Sequence, residues 1–369
     1  MPRKATSLDV ARVAGVSRSA VSFVLNGRAD GNIAKDKQER ILAAAKELNY
    51  TPNAVARSLQ SQRTRTIGVV TDAIAGGPFA GKLLQGASDA AIRYGYLLLV
   101  IDTHSDARRE EGAFTALRNR QVDALMFAAM SLREHIPGPV MAGVPAILAN
   151  SFDPANALPS VIPDEVSGGR SAAQILISAG HRDIAFLAGT DELVAPGRRG
   201  DGFRLAMAAA NLPATNIVTT GWEVNEGFAA AMHLLTNDDG RSPRTDRPTG
   251  IVCANDRVAV GVLLACGRLR LRVPEDLSIV GYDDDEPLAA TSVPALTTIA
   301  LPHREMGELA INLLLQELGE ASAGSVPAPL GQVGPDHAVP DHAVSDQLRG
   351  PILLPCPVVS RGSVAAPAR

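Results

Sequence analysis

Polar residues close several short runs of branched apolar residues: Asp72 after Ile67–Thr71, Asp102 at the end of Tyr96–Asp102, Asn150 after Ala146–Ala149, Asn255 after Ile251–Ala254 and Asp283 after Ser278–Tyr282. At the carboxyl ends of parallel strands such residues face the crevice where open α/β sheets bind ligands. A carboxylate accepts paired hydrogen bonds from hydroxyls, and asparagine both donates and accepts. Capping also accounts for Asp72, Asn255 and Asp256, whereas Asp283 ahead of Asp284 and Asp285 exceeds what a cap requires. Catalysis finds little support: there is no G-x-x-x-x-G-K-[ST] phosphate loop, no G-x-S-x-G elbow, no H-E-x-x-H pair and no G-x-G-x-x-G fingerprint.

The elements that must position these residues alternate. Apolar runs, including Ala124–Phe127 and Ile184–Ala188, are separated by amphipathic stretches such as Ala80–Tyr94 and Ser167–Ala179, which predicts α/β units with parallel sheets. The 369 residues are 46% hydrophobic and 20% charged, the composition of a chain with real cores and room for two or three domains. No apolar run reaches the ~18 to 20 residues of a membrane span, and the polar N-terminus does not read as a signal peptide, so a cytoplasmic location is expected. Cys253, Cys266 and Cys356 are an odd number without C-x-x-C spacing and read as reduced, buried thiols.

The net charge of −4 conceals an asymmetry: residues 1–65 carry +7 and the remainder −11. A small basic unit ahead of a large acidic body points to an anion-binding head, most simply one for nucleic acid. Thr6-x-x-Asp9 starts a helix with a capping-box pattern, Gly15 ends it, and Ser17 caps a second helix running to about Leu25. A third, from about Lys35 to Leu48, places Ile41, Leu42, Ala45 and Leu48 on one face. Ala34 stands where Ser or Thr would cap it. The result is a helix-turn-helix, whose second helix reads base edges with its N-terminal residues. Arg18 and Ser19 are the specificity candidates, since an Arg fork bonds guanine O6 and N7 bidentately, while Ser17 and Ser22 suit phosphates.

The order Leu8-Asp9-Val10-Ala11-x-x-Ala14-Gly15-Val16-Ser17, then Ala20-Val21-Ser22, Leu25-Asn26-Gly27 and Tyr50-x-Pro52-Asn53-Ala54-Val55-Ala56-Arg57-Ser58-Leu59, resembles the lactose/galactose repressor (LacI) family. The resemblance continues through Gly180-His181-Arg182, Ala254-Asn255-Asp256, Val280-Gly281-Tyr282-Asp283-Asp284, Leu296-Thr297-Thr298-Ile299 and Leu354-Pro355, and so spans nearly the whole chain. It implies an all-α helix-turn-helix head with a hinge helix, followed by a two-lobed, periplasmic-binding-protein-like α/β body. It further implies a homodimeric repressor on a near-palindromic double-stranded DNA operator, responsive to a small-molecule effector and without a cofactor or metal. Thr6, Ser17, Arg18, Ser19, Ser22, Asn26, Asn53, Arg57 and Leu59 become the DNA-binding candidates, Leu59 as the minor-groove wedge. Phe23 stands where many relatives are polar or basic, so operator preference does not carry across.

Asp72, Phe79, Asn150, Arg199, Trp222, Asn255 and Asp283 become the effector-binding candidates, with Trp222, the lone tryptophan, offering a ring face to a sugar. A purine remains open, as does, more remotely, a sugar-binding protein or enzyme with an α/β body, although neither of the latter accounts for residues 1–65. The expected domains are a head at 1–49, a hinge and linker at 50–65, and an effector-binding and dimerisation domain at 66–318. Its first lobe is expected at 66–162 and 295–318, its second at 163–293 and 351–361, with crossings near Pro163, Pro294 and after Gly319. Residues 319–350, rich in Pro, Gly and Ala and holding Pro-Asp-His-Ala-Val twice, read as a disordered insertion, and 362–369 as a tail. No leucine heptad follows the last Leu-Pro strand, so a dimer is the expected assembly.

Overall fold

The computed structural model describes residues 5–25, 29, 32–50, 58, 62–73, 78–190, 194–237, 242–320 and 350–368, with backbone alone at 78–80. The chain divides into two units, Met1–Arg65 and Thr66–Arg369. Asn26, Asn53, Arg57, Leu59, the side chain of Phe79 and the repeated pentapeptide lie outside the described residues.

The first unit contains α1 (Ser7–Ala14), α2 (Arg18–Leu25) and α3 (Lys35–Glu47). Thr6 and Asp9 close a reciprocal capping box, and Gly15 takes the left-handed conformation (φ 62°) that turns the chain between α1 and α2. Val10, Ala14, Val21, Ile41 and Ala45 form the shared core, with Val16 packed against it from the corner. Ala34 makes no side-chain cap to α3.

In the second unit β1 (Thr66–Thr71), β2 (Leu97–Asp102), β3 (Ala124–Glu134), β4 (Ala146–Phe152), β5 (Ser160–Pro163) and β11 (Pro351–Leu354) build a sheet in the order β11-β5-β4-β3-β1-β2, parallel throughout. The alternation within β1 divides the packing. Ile67 and Val69 face α4 (Pro78–Arg93) and α11 (His303–Glu317), while Val70 faces α5 (Ala107–Asn119) through Phe114 and Leu117. The second sheet contains β6 (Ile184–Ala188), β7 (Ile217–Thr219), β8 (Gly250–Cys253), β9 (Ser278–Asp283), β10 (Thr297–Ala300) and β12 (Val358–Val359), ordered β12-β10-β9-β8-β6-β7, with only β12 antiparallel. Helices α6 (Glu165–Ser178) and α7 (Val194–Ala209) cover one face through Leu176, Phe203 and Met207. On the other lie α8 (Val224–Leu235) and α9 (Asp256–Leu269), through Leu235, Val258 and Val262. Short α10 (Glu286–Ala289) precedes β10.

Two expected lobe boundaries are corrected. β10 pairs in register with β9, Thr297 opposite Val280, so 295–300 belong to the second lobe and the chain crosses at Leu301–Pro302. Proline, without an N–H, ends the ladder there. β11 pairs with β5, Pro351 opposite Ser160, so 351–354 return to the first lobe and the last crossing falls at 355–357. The segment after residue 361 is also more than a tail: Ser363 is fully buried, and its Oγ donates to Ile279 O (2.6 Å) and accepts from Thr297 N–H (2.8 Å). All three cysteines are free and buried, and among the described residues no helix is long and apolar enough to cross a membrane.

Candidate functional site

In the head, Arg18 at the start of α2 donates from Nε to Ser7 Oγ (3.0 Å), a bond that does not engage its two terminal nitrogens. Ser17 Oγ accepts from Ala20 N–H (3.2 Å) and lies 2.9 Å from Ser19 Oγ, so Ser17 caps α2 as well as facing outward. Thr6 is likewise engaged, its Oγ1 accepting from Asp9 N–H and its own N–H donating to Asp9 Oδ2 (2.9 Å). Arg18, Ser19 and Phe23 are exposed on α2, Phe23 by 43%.

The second lobe gathers its candidates at the carboxyl ends of its strands. Arg199 on α7 is buried and donates Nε to Glu165 Oε2 (2.8 Å), Nη2 to Glu165 Oε1 (2.9 Å) and Nη1 to Ala254 O. The guanidinium also stacks 3.8 Å from the ring centre of Tyr282, and Nη2 lies 3.4 Å from Asp283 Oδ1. Small residues make this possible: a Cβ at Gly169 of α6 would strike the Arg199 carbonyl, and one at Gly202 of α7 would strike the Val166 carbonyl. Two helices that approach this closely bring Glu165 and Arg199 together. Burial opposes the charge on Arg199, but Glu165 and Asp283 overcome it and push its pKa up.

Burial also pushes Asp283 up to about 6, although Arg199 pulls the other way, and its backbone is left-handed (φ 98°). Asp256 beside it is pushed up to about 8 by burial and then by Asp283. Its oxygens accept from Thr298 Oγ1 (2.7 Å) and Asp285 N–H (2.8 Å). Asn255 caps α9 by accepting from Val258 N–H (2.8 Å) and donates Nδ2 to Trp222 O (3.1 Å). Trp222 is half-buried, its indole N–H pointing to Thr190 Oγ1 (3.3 Å).

The first lobe presents a matching set. Asp72 accepts from Ala73 N–H and Met130 N–H (both 2.8 Å), with Arg133 Nε at 3.2 Å. Arg133 also bonds Glu110 (3.3 Å) and lies over the Phe127 ring. Asn150, buried and left-handed (φ 52°), donates Nδ2 to Ala129 O (3.0 Å), which leaves Oδ1 without a hydrogen-bond partner; Asp283 Oδ1 also lacks one. Both residues thus combine left-handed backbone with a buried acceptor that makes no hydrogen bond, Asp283 Oδ1 having only its ion pair with Arg199. The lobes meet where Ala195 of α7 packs on Leu132 and Ile162, Arg198 covers the Phe152 ring and Lys82 Nζ pairs with Glu286 Oε1 (3.2 Å).

The structure thus knits Asp72 and Asn150 through adjacent residues of β3, Arg199 to Asp283, and Asn255 to Trp222. Sequence reasoning missed Glu165 and Arg133. Gly168-Gly169, just after Asp164-Glu165, was the available signal for Glu165, since paired small residues in a helix mark a close crossing. Arg133 carried no comparable signal, because it depends on β3 continuing past a register shift between Ala128 and Arg133.

Comparisons with known proteins place this geometry. Residues 6–53 match the bacterial regulatory proteins of the lacI family, and residues 173–332 a periplasmic binding protein-like domain. The ribose operon repressor of Escherichia coli (strain K12) is 37% identical over 320 residues, covering 85% of this chain and 93% of that protein. The HTH-type transcriptional repressor PurR of Vibrio vulnificus (strain CMCP6) is 34% identical over 316 residues, covering 85% and 92%. Among solved structures, the lac repressor dimer bound to operator and the anti-inducer ONPF is 27% identical with a TM-score of 0.75, covering 99% of this chain and all of that one.

Proposed function

The chain belongs to the LacI family of bacterial regulatory proteins and is a ligand-responsive, DNA-binding transcriptional regulator; from that premise we propose a cytoplasmic homodimeric repressor whose effector is a neutral, hydroxyl-rich molecule of the sugar class. The observation that carries the effector reading is chemical. Asn150 Oδ1, without a hydrogen-bond partner, and Asp283 Oδ1, with only the Arg199 ion pair, are both acceptors, a demand that sugar hydroxyls meet. The relative named as a ribose operon repressor supports the same class. A purine is the second reading, favoured by the half-buried indole of Trp222 beside Asn255.

We assign DNA reading to residues 1–49, with Arg18 and Ser19 for base edges and Ser17, Ser22 and Thr6 positioning the helices. Asn26, Asn53, Arg57 and Leu59 complete the DNA-binding set by resemblance, in a near-palindromic operator read by two heads. Residues 66–318, with the returning strands after residue 350, hold the effector between Asp72 and Asn150 on one lobe and Arg199, Trp222, Asn255 and Asp283 on the other, with Phe79 added by resemblance. A ligand that touches both sets favours whichever lobe arrangement it fits, and linkage transmits that preference to the heads with either sign.

Titration of the purified protein with mono- and disaccharides and purines, followed by Trp222 emission and then by operator binding with each responding compound, tests the reading. A saturable response to a sugar that also changes operator affinity is expected. Response to purines alone selects the second reading, and response to neither class overturns both.

A further inference from the structure

Glu165 clamps Arg199 with both carboxylate oxygens, at 2.8 and 2.9 Å, while a third donor of the guanidinium goes to Ala254 O and its face rests on Tyr282. At least three of its five N–H donors are therefore committed within the protein. Glu165 and Arg199 are 2% and 4% exposed, so the pair is dry and its attraction is little screened. Around the clamp two buried acceptors are left: Asn150 Oδ1 on the first lobe has no hydrogen-bond partner, and Asp283 Oδ1 on the second has only the 3.4 Å ion pair with Arg199 Nη2. On the first lobe Arg133 is held by Asp72 and Glu110, and at the lobe junction Arg198 lies over the Phe152 ring, 4.8 Å from its centre.

We propose that Glu165 is a specificity-determining residue that, by holding Arg199, reserves the Asp283 end of the effector site for hydroxyl or amino donors and closes it to anionic groups such as phosphate or carboxylate. This inference rests on the effector reading above and names the charge class that the same site accepts. A phosphate brings negative charge on mostly acceptor oxygens, so it meets the Asp283 and Asn150 oxygens with repulsion, and it takes Arg199 as a bidentate partner only by displacing the Glu165 carboxylate. A neutral polyol brings donors to both oxygens and leaves the clamp intact. Glu165 acts through Arg199 and is a positioning residue. Its signature is therefore a change in selectivity, which a purely structural role would not produce.

The test is calorimetric titration of the full chain with matched probes: ribose against ribose 5-phosphate, glucose against glucose 6-phosphate, adenine against adenosine monophosphate, and inorganic phosphate alone. The neutral member of a responding pair is expected to bind at least about tenfold more tightly than its phosphorylated counterpart, and inorganic phosphate to give no saturable heat. In Glu165→Gln that ratio should narrow by about tenfold or more and phosphate binding should appear, whereas Glu165→Asp should restore the discrimination. Equal binding of both members by the unsubstituted protein, saturable phosphate binding to it, or an unchanged ratio in a folded Glu165→Gln overturns the proposal. Should no neutral probe bind, the effector reading fails, and phosphate still decides this one: capture by Glu165→Gln alone supports it, and capture by neither protein overturns it. Should Glu165→Gln not fold, the pair and phosphate titrations of the unsubstituted protein decide.

Discussion

Trp222 lies against Gly189 at the end of β6, so close that a Cβ at Gly189 would overlap the six-membered ring of the indole. The same tryptophan accepts from Asn255 through its carbonyl and donates its indole N–H to Thr190. Gly189→Ala must therefore move the ring, since neither the strand-end backbone nor the capped start of α9 is free to give way. The expected result is a shifted Trp222 emission and a weakened response to the effector, with operator affinity in its absence within about twofold of the original, because sites without shared partners act independently. Emission identical to that of the unsubstituted protein would show that the ring is not seated on Gly189.

Stability should fall as the pH rises above about 6.5. Burial pushes Asp256 up to about 8 and Asp283 to about 6, so across the window from about pH 4 to 8 the native state holds protons that the unfolded chain, with carboxylates near 3.9, has released. Native binding exceeds unfolded binding there, and unfolding free energy declines with pH. His135 and His303, lowered to about 4 by burial, act in the opposite direction between about pH 4 and 6.5, where the unfolded imidazoles take up protons first. Above 6.5 that compensation is gone and Asp256 dominates. Asp256→Asn, whose amide oxygen can accept from Asp285 N–H while its NH2 donates to Thr298 Oγ1, should raise Tm at pH 8 and flatten the decline between pH 6.5 and 8. A parallel decline in both proteins would show that Asp256 is ionised in the native state.

How much of this was legible in the sequence varied with the range of the interaction. Gly15, Thr6 and Asp9 act within a single turn, and their structure follows from residue type alone. The strands carrying Asp72, Asn150, Asn255 and Asp283 were visible because buried parallel strands are continuous apolar runs. Pairing is another matter. Thr297–Ala300 and Pro351–Leu354 are four-residue strands whose lobe is set by which edge they meet, and no local pattern records that Thr297 sits opposite Val280 or Pro351 opposite Ser160. The Glu165–Arg199 clamp joins residues 34 positions apart and became apparent only once α6 and α7 were seen to cross at their glycines.

The uncapped start of α3 offers a stabilising change. Ala34 has φ −59° and ψ 143°, extended backbone of the kind a capping residue adopts, yet its methyl leaves the first amides of the helix without a side-chain acceptor. Ala34→Ser or Ala34→Thr should therefore stabilise the head by about 1 kcal/mol. In thermal unfolding of the full chain the gain should be confined to the transition of the head, with the body unchanged. The salt dependence of operator binding should keep its slope, because no phosphate contact is added. A gain shared by both transitions would place the effect elsewhere than at the cap.

Ser363 tests whether the final segment is part of the second lobe or an appendage. Its hydroxyl is fully buried between two strands, donating to Ile279 O of β9 and accepting from Thr297 N–H of β10. Two residues on, Ala365 N–H donates to Ser278 Oγ, and the Ala365 carbonyl lies 2.9 Å from His181 Nε2. Ser363→Ala removes one side chain but strands two buried backbone groups, each costing about 1–3 kcal/mol, so a loss of about 2 kcal/mol or more is expected from denaturant unfolding. Ser363→Cys, which retains a weak donor and acceptor at similar size, should recover part of it. Operator contacts should be unaffected at temperatures where the body stays folded. A change of less than about 0.5 kcal/mol, the range of an ordinary surface substitution, would mean that residues after Arg361 do not belong to the lobe.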